Sequence, residues 1–251
     1  MSDLAAAMEA GDYAAAYAAF IQQPDAGSQG GLANAALLLG MCERFAEAEQ
    51  LLARTQAKAV EWIVRGERAR LARWRDPQAA ARLAVSAPTA ALPYYSQIAF
   101  ALVTGDASRV IPSPEPPRPG TLVLRTGQSR PFSDLRDYDD AIGRMFEVFI
   151  DDTVVYFPFE HVRSIEIAQP ESFVTLYTPR CTITDRAGNI AHGFMPTLYA
   201  GSTTAPEATL RTGRETRFSY VGSACRGIGQ RDLKIDAGTM MGIERIAAIQ
   251  F

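Results

Sequence analysis

The chain has 251 residues and a formal charge of -3, from 25 basic and 28 acidic side chains. At about 100–200 residues per domain it has room for one large domain or two small ones, and it can bury a core without staples. That charge balance excludes a strongly basic nucleic-acid binder and an acidic disordered tail as descriptions of the whole chain. The three cysteines, Cys42, Cys181 and Cys225, are far apart, and with His161 and His192 they form neither a zinc pattern nor a disulfide framework. The first residues, MSDLAAAMEAGDY, carry no basic n-region and no long apolar h-region. No apolar run approaches the roughly 20 residues that span a bilayer. The expectation is a soluble cytoplasmic protein with no membrane span.

Alanine divides the chain. Thirty alanines fall in residues 1–110 and 11 in residues 111–251. Alanine favours helix and is depleted in strands. The first part is expected to be helical, in pieces at Leu4–Ala10, after the capping Asp12, at Leu32–Leu39 with a break at Gly40, at Arg44–Ala53, Lys58–Arg75, Gln78–Ser86 and Ala91–Val103. Pro24–Gly31 reads as a loop. Tyr13 and Phe45 each open a helix after a turn, 32 residues apart. That is close to the period of about 34 residues of tetratricopeptide hairpins. Residues 111–120, IPSPEPPRPG, hold five prolines and form the expected linker. Beyond it the pattern turns to period two. Strands are expected at Thr121–Arg125, Met145–Ile150, Thr153–Phe157, Val162–Ile167, Arg180–Asp185, Ile190–Met195, Arg217–Val221 and Ile243–Ile249. Asp151-Asp152 is a tight turn and Phe173–Tyr177 a short strand or helix. Short helices are expected before Met145 and around residues 201–208. The resulting expectation is an α+β chain: a tetratricopeptide-like helical domain over 1–110, a proline-rich linker over 111–120, and a mostly antiparallel α/β domain over 121–251.

The densest polar cluster is Asp134, Asp137, Asp139 and Asp140, with Glu147 following. Carboxylates in that number could hold a divalent ion or act as acid and base, and a metal-dependent hydrolase using Asp137 to Glu147 is one alternative. The fixed spacing of a calcium loop is absent, and Arg136 and Arg144 stand near enough in sequence to pair with the acids. A structural cluster that organises the second domain is the simpler expectation, with no metal and no catalytic residue. His161, His192, Cys181 and the serines lack a nucleophile context. No glycine-rich phosphate loop is present, so no cofactor and no small-molecule substrate are expected. Residues 58–75 carry Arg65, Arg68, Arg70, Arg73 and Arg75, which read as a solvated face or as a surface for an acidic partner. No aromatic platform accompanies them, so nucleic acid is not expected. Stacked helical hairpins make a groove suited to an amphipathic helix, and Tyr13, Tyr17, Trp62, Arg65 and Tyr95 are the candidate groove residues.

The second part resembles the ImpE/TagJ (SciE-type) family. The resemblance rests on Phe132-Ser133-Asp134-Leu135-Arg136-Asp137-Tyr138-Asp139-Asp140 with Gly143 and Phe146-Glu147-Val148, and on Val155–Val162. It extends through Pro196-Thr197-Leu198-Tyr199-Ala200-Gly201-Ser202 and Gly227-Ile228-Gly229-Gln230-Arg231. One departure is that the arginine usual before the glycine comes after it, as Arg144. The resemblance implies a non-enzymatic accessory protein of bacterial type VI secretion. It further implies binding to the N-terminal helix of the small sheath subunit and assistance to the ClpV ATPase that recycles the sheath. A scaffold for a different secretion or regulatory protein is the remaining alternative.

Overall fold

The computed structural model describes residues 3–80, 82–108, 113–172 and 175–251. Residues 109–112, where the helical part meets the proline-rich segment, and Phe173 and Val174 of the expected short element lie outside that description. The alanine-rich part forms α1 (Asp3–Glu9), α2 (Tyr13–Phe20), α3 (Gln29–Met41), α4 (Phe45–Leu52), α5 (Lys58–Arg75), α6 (Pro77–Ala80) and α7 (Leu92–Thr104). The 32-residue repeat is visible in its turns. Asp12 N–H donates to Ala7 O and Arg44 N–H to Leu39 O, both at 2.9 Å. Gly11 and Glu43, the residues before them, take φ of 63° and 60°. Both hairpins therefore close with the same left-handed helix stop, supplied once by glycine and once by glutamate.

Three helical expectations are corrected. Ser28 accepts the Gly31 N–H at 3.0 Å, so α3 begins inside the expected Pro24–Gly31 loop. It also continues through Gly40, because Leu37, Leu38, Leu39 and Met41 are all buried and packing outweighs the roughly 1 kcal/mol that glycine costs a helix. The helix expected over 78–86 ends at Ala80. Residues 84–86 instead run parallel to the strand at Tyr156, with Tyr156 N–H on Ala84 O at 2.8 Å and Ser86 N–H on Tyr156 O at 2.9 Å.

The second part holds β1 (Gly120–Leu124), β2 (Ser129–Phe132), β3 (Leu135–Asp137), β4 (Met145–Ile150), β5 (Thr153–Pro158), β6 (Val162–Ile167), β7 (Arg180–Asp185) and β8 (Ile190–Phe194). After the 3-10 turn Ser202–Thr204 come α8 (Ala208–Arg211), β9 (Thr216–Val221), β10 (Ala224–Gly229), β11 (Asp232–Ile235), β12 (Thr239–Gly242) and β13 (Ile246–Gln250). The main sheet runs β2-β1-β13-β6-β7-β8-β4-β5, beside a β9-β10 hairpin and a β12-β11-β3 sheet. All these strand pairs are antiparallel. Asp151 and Asp152 both take positive φ, 46° and 68°, as a two-residue hairpin loop between β4 and β5 requires. The short helices expected before Met145 are replaced by β3 and turns. Ile243–Arg245, expected to begin the last strand, is a 3-10 turn instead.

Side-chain alternation on β4 fixes how the two parts meet. Met145 and Phe149 join the apolar layer of the helices, whereas Phe146 and Val148 join a second layer on the opposite face. Glu147 shares the parity of Met145 and Phe149 and so faces the helices. α5 lies across β4 and β5 with Gly66 over the Phe149 ring. The helices and the main sheet thus share a continuous core.

Candidate functional site

Three carboxylates and three guanidinium groups meet where α5 crosses the sheet. α5 turns Glu67, Arg70 and Arg73 inward at helical spacing, and β4 supplies Glu147. Arg70 reaches Glu147 at 3.1 Å and Glu67 at 2.6 Å, and its Nη1 donates to Leu198 O at 2.9 Å. Arg73 donates to the Tyr156 hydroxyl at 2.6 Å, and that hydroxyl donates to Glu147 at 2.6 Å. Arg231, between β10 and β11, donates through Nε to Asp137 at 2.6 Å and lies 3.8 Å from Glu147. Tyr199 donates its hydroxyl to the other oxygen of Asp137 at 2.9 Å.

The acidic run after β3 is consumed in the same way. Asp139 accepts the Ala141 and Gly227 N–H groups at 2.9 and 3.1 Å. Asp140 pairs with Arg136 and accepts the Cys225 N–H at 2.7 Å. Asp134 takes Arg144 at 2.6 Å. These bonds tie β3 and its following turn to β10 and to β4. The displaced arginine of the resemblance therefore serves Asp134. Among the described residues no group of three or more histidine, cysteine, aspartate or glutamate side chains is arranged to hold a metal ion.

Burial acts to raise Glu147, but Arg70 and Arg231 outweigh it and hold its carboxyl below the usual range. Burial pushes Asp137 up, against the pull of Arg231. Asp139 is pushed up to about 7, by burial first and then by the Asp137 charge. A carboxyl raised in the folded state contributes stability below its unfolded value of 3.8, and that contribution is lost as pH rises through about 7. The urea-derived stability is expected to fall by about 1 kcal/mol between pH 6 and pH 8, one proton over roughly one effective unit. Asp139→Asn is expected to be less stable at pH 6, because an amide cannot accept from both backbone donors, yet to flatten that slope. An unchanged slope would assign the effect elsewhere.

The five candidate groove residues do not share one surface. Tyr13 is buried, donates its hydroxyl to Arg211 O at 2.7 Å and meets Tyr177 edge-on. Tyr17, a turn further along α2, lies half-buried under the Arg44 guanidinium. Trp62 stands on the other side of α5 against Phe194, and Arg65 pairs with Glu61 and Asp152, both at 2.7 Å. Tyr95 is inside the fold, where its hydroxyl accepts the Arg144 N–H at 2.8 Å and bonds Glu115. Of the five arginines on α5, Arg65, Arg68 and Arg75 form the expected solvated face, while Arg70 and Arg73 are each 3% exposed.

One depression adjoins Tyr13, and a second shares part of its lining. A trough of about 400 Å³ runs between the start of α2, the end of α3 and residues 203–205, edged by Ala14, Met41, Cys42 and Arg211. Met41 and Thr203 also border a deeper apolar pocket of about 50 Å³ between α3 and α5. Sequence reasoning missed Met41 and the 203–211 segment, which carry no local chemical signature. Arg70 and Arg73 had a signal, since they continue the Ile63–Gly66–Glu67 stripe at three- and four-residue steps.

Residues 129–250 match the ImpE protein family. The crystal structure of protein VPA1032 from Vibrio parahaemolyticus has the same fold, with a TM-score of 0.78 and 17% identity over 98% of this chain and 96% of that one. No curated protein matches the chain. No helix among the described residues is long and apolar enough to cross a membrane.

Proposed function

We propose that this chain, whose residues 129–250 belong to the ImpE family, is a non-enzymatic adaptor of bacterial type VI secretion. In this reading it seats the N-terminal helix of the small sheath subunit and assists ClpV in recycling the sheath. The observation that carries the reading is the trough beside α2, about 400 Å³, which shares Met41 and Thr203 with the pocket between α3 and α5. A helix with its side chains is about 10–12 Å across, so such a trough takes one apolar stripe of it, read through anchors three and four residues apart. Tyr13 forms part of the trough and Tyr17 follows it on α2, so these two remain the binding candidates at this surface. The carboxylates that a hydrolase would use are spent on guanidinium and backbone partners, which also favours an adaptor.

The test is calorimetric titration of the full chain with the N-terminal helix peptide of the small sheath subunit from the same genome. Saturable micromolar binding is expected. Ala14→Arg, an exposed change on α2 that fills the trough, is expected to abolish binding and leave the melting temperature unchanged. No binding at about 1 mM peptide, a free energy weaker than about -4 kcal/mol, sinks the partner assignment.

A further inference from the structure

The pocket between α3 and α5 has a chemistry of its own. Leu37, Ile63, Val64 and Leu198 give it aliphatic walls, and Glu67 and Arg70 are its charged lining. Its volume is about 50 Å³. At about 10–15 Å³ for each water-sized group, that is room for roughly four heavy atoms, the size of a leucine or isoleucine side chain.

The charges are unevenly shared. Arg70 is 3% exposed, and its Nε has no hydrogen-bond partner among the described residues. Its single positive charge serves two carboxylates, Glu67 at 2.6 Å and Glu147 at 3.1 Å. Glu147 has Arg231 as a second cation at 3.8 Å, while Asp137 has Arg231 at 2.6 Å. Among the described residues Glu67 has only its share of Arg70, and Glu43 and Glu147 add negative potential around it. It keeps 15% of its side chain exposed, more than Arg70 or Glu147. The pocket is therefore aliphatic in its walls and electronegative at Glu67.

We propose that this pocket is an anchor site for an aliphatic side chain of leucine size on a basic peptide segment, whose ammonium or guanidinium group pairs with Glu67. On a helical segment the aliphatic and basic residues stand one turn apart, the spacing at which they share a face. An uncharged anchor fills the walls but leaves Glu67 half-paired. An acidic segment meets repulsion. The peptide as carrier rests on the adaptor reading, whereas the preference for an aliphatic cation belongs to the pocket itself.

The test uses small probes on the full chain, followed by methyl NMR of Leu37, Ile63, Val64 and Leu198. Isoamylamine joins an isobutyl group to an ammonium through one methylene. Isoamyl alcohol and isovalerate are its neutral and anionic counterparts. The amine is expected to shift these methyls saturably in the millimolar range and to bind about fivefold more tightly than the alcohol, the worth of one partly exposed ion pair. Isovalerate is expected to leave them in place. Glu67→Gln is expected to bind amine and alcohol alike. Three results on the unaltered protein would overturn the proposal: no methyl shift at about 50 mM amine, shifts only outside the pocket, or alcohol or isovalerate binding as tightly as the amine. Amine selectivity without sheath-peptide binding sinks only the partner assignment. Sheath-peptide binding without amine selectivity sinks only this proposal.

Discussion

Arg231→Met is expected to destabilise the protein by about 3–5 kcal/mol, the usual cost of removing one member of a buried ion pair. Arg231 is fully buried and donates to Asp137 at 2.6 Å and to Pro196 O at 3.3 Å. Methionine replaces the unbranched apolar stem but stops two atoms short and offers no donor. Asp137 would then keep only the Tyr199 hydroxyl and the Asp139 N–H. Glu147 would lose its second cation and depend on Arg70 and Tyr156. Urea denaturation should read the loss directly, and for a chain of this size the melting temperature should drop by about 2–4 °C for each kcal/mol. Asp137→Asn in the Arg231→Met background should recover part of the loss, because it removes the charge left unpaired. Arg68→Ala provides the contrast: its bond to Glu49 is 2.6 Å, but the arginine is 57% exposed, so the expected cost is below about 1 kcal/mol. If Arg231→Met costs no more than that, the buried cluster does not hold β3, β4 and the β10–β11 connection together.

The same cluster shows where sequence reading succeeded and where it stopped. α5 was legible to its ends because Val60, Ile63, Leu71 and Trp74 repeat at helical spacing and proline follows. β4 to β8 were legible because their alternation is long and their turns are Asp-Asp and Ala-Gly-Asn. β2 and β3 are too short and too polar, as SRPF and LRD, to register a period. β10 carries two glycines, and β11 is only four residues long, with Leu233 and Ile235 its whole apolar face, so neither run registers a period. Residues 84–86 were misread because their place beside Tyr156 is fixed by a strand 70 residues away. Asp139 and Glu147 were visible as candidate residues, but their partners Gly227, Arg70 and Arg231 are brought in by tertiary structure. The separation of Tyr13 from Trp62 and Tyr95 has the same origin: the first lies at the α2–α8 contact, the second faces β8, and the third faces the turn before β4.

Gly66→Ala is expected to lower stability by about 2–3 kcal/mol, although glycine to alanine inside a helix ordinarily gains up to about 1 kcal/mol. A Cβ on Gly66 would stand 2.5 Å from Cδ1 and Cγ of Phe149 and 2.8 Å from its Cβ. The Phe149 ring has little freedom to yield, because it is fully buried on a strand packed on both faces. α5 must therefore lift from the sheet. Lifting it stretches the Arg70–Glu147 and Arg73–Tyr156 bonds, now 3.1 and 2.6 Å, so one methyl group also strains the buried cluster. Phe149→Leu in the same chain makes room, and the double variant should be more stable than the sum of the two changes implies. Within a turn of Gly66, α5 also carries Ile63, Val64, Glu67 and Arg70 into the pocket. A displaced α5 should then weaken sheath-helix binding without altering a residue at the trough. Stability equal to or above that of the parent protein would show that the helix is not seated on the sheet through Gly66. Lost stability with unchanged peptide affinity would show that the trough does not depend on where α5 sits.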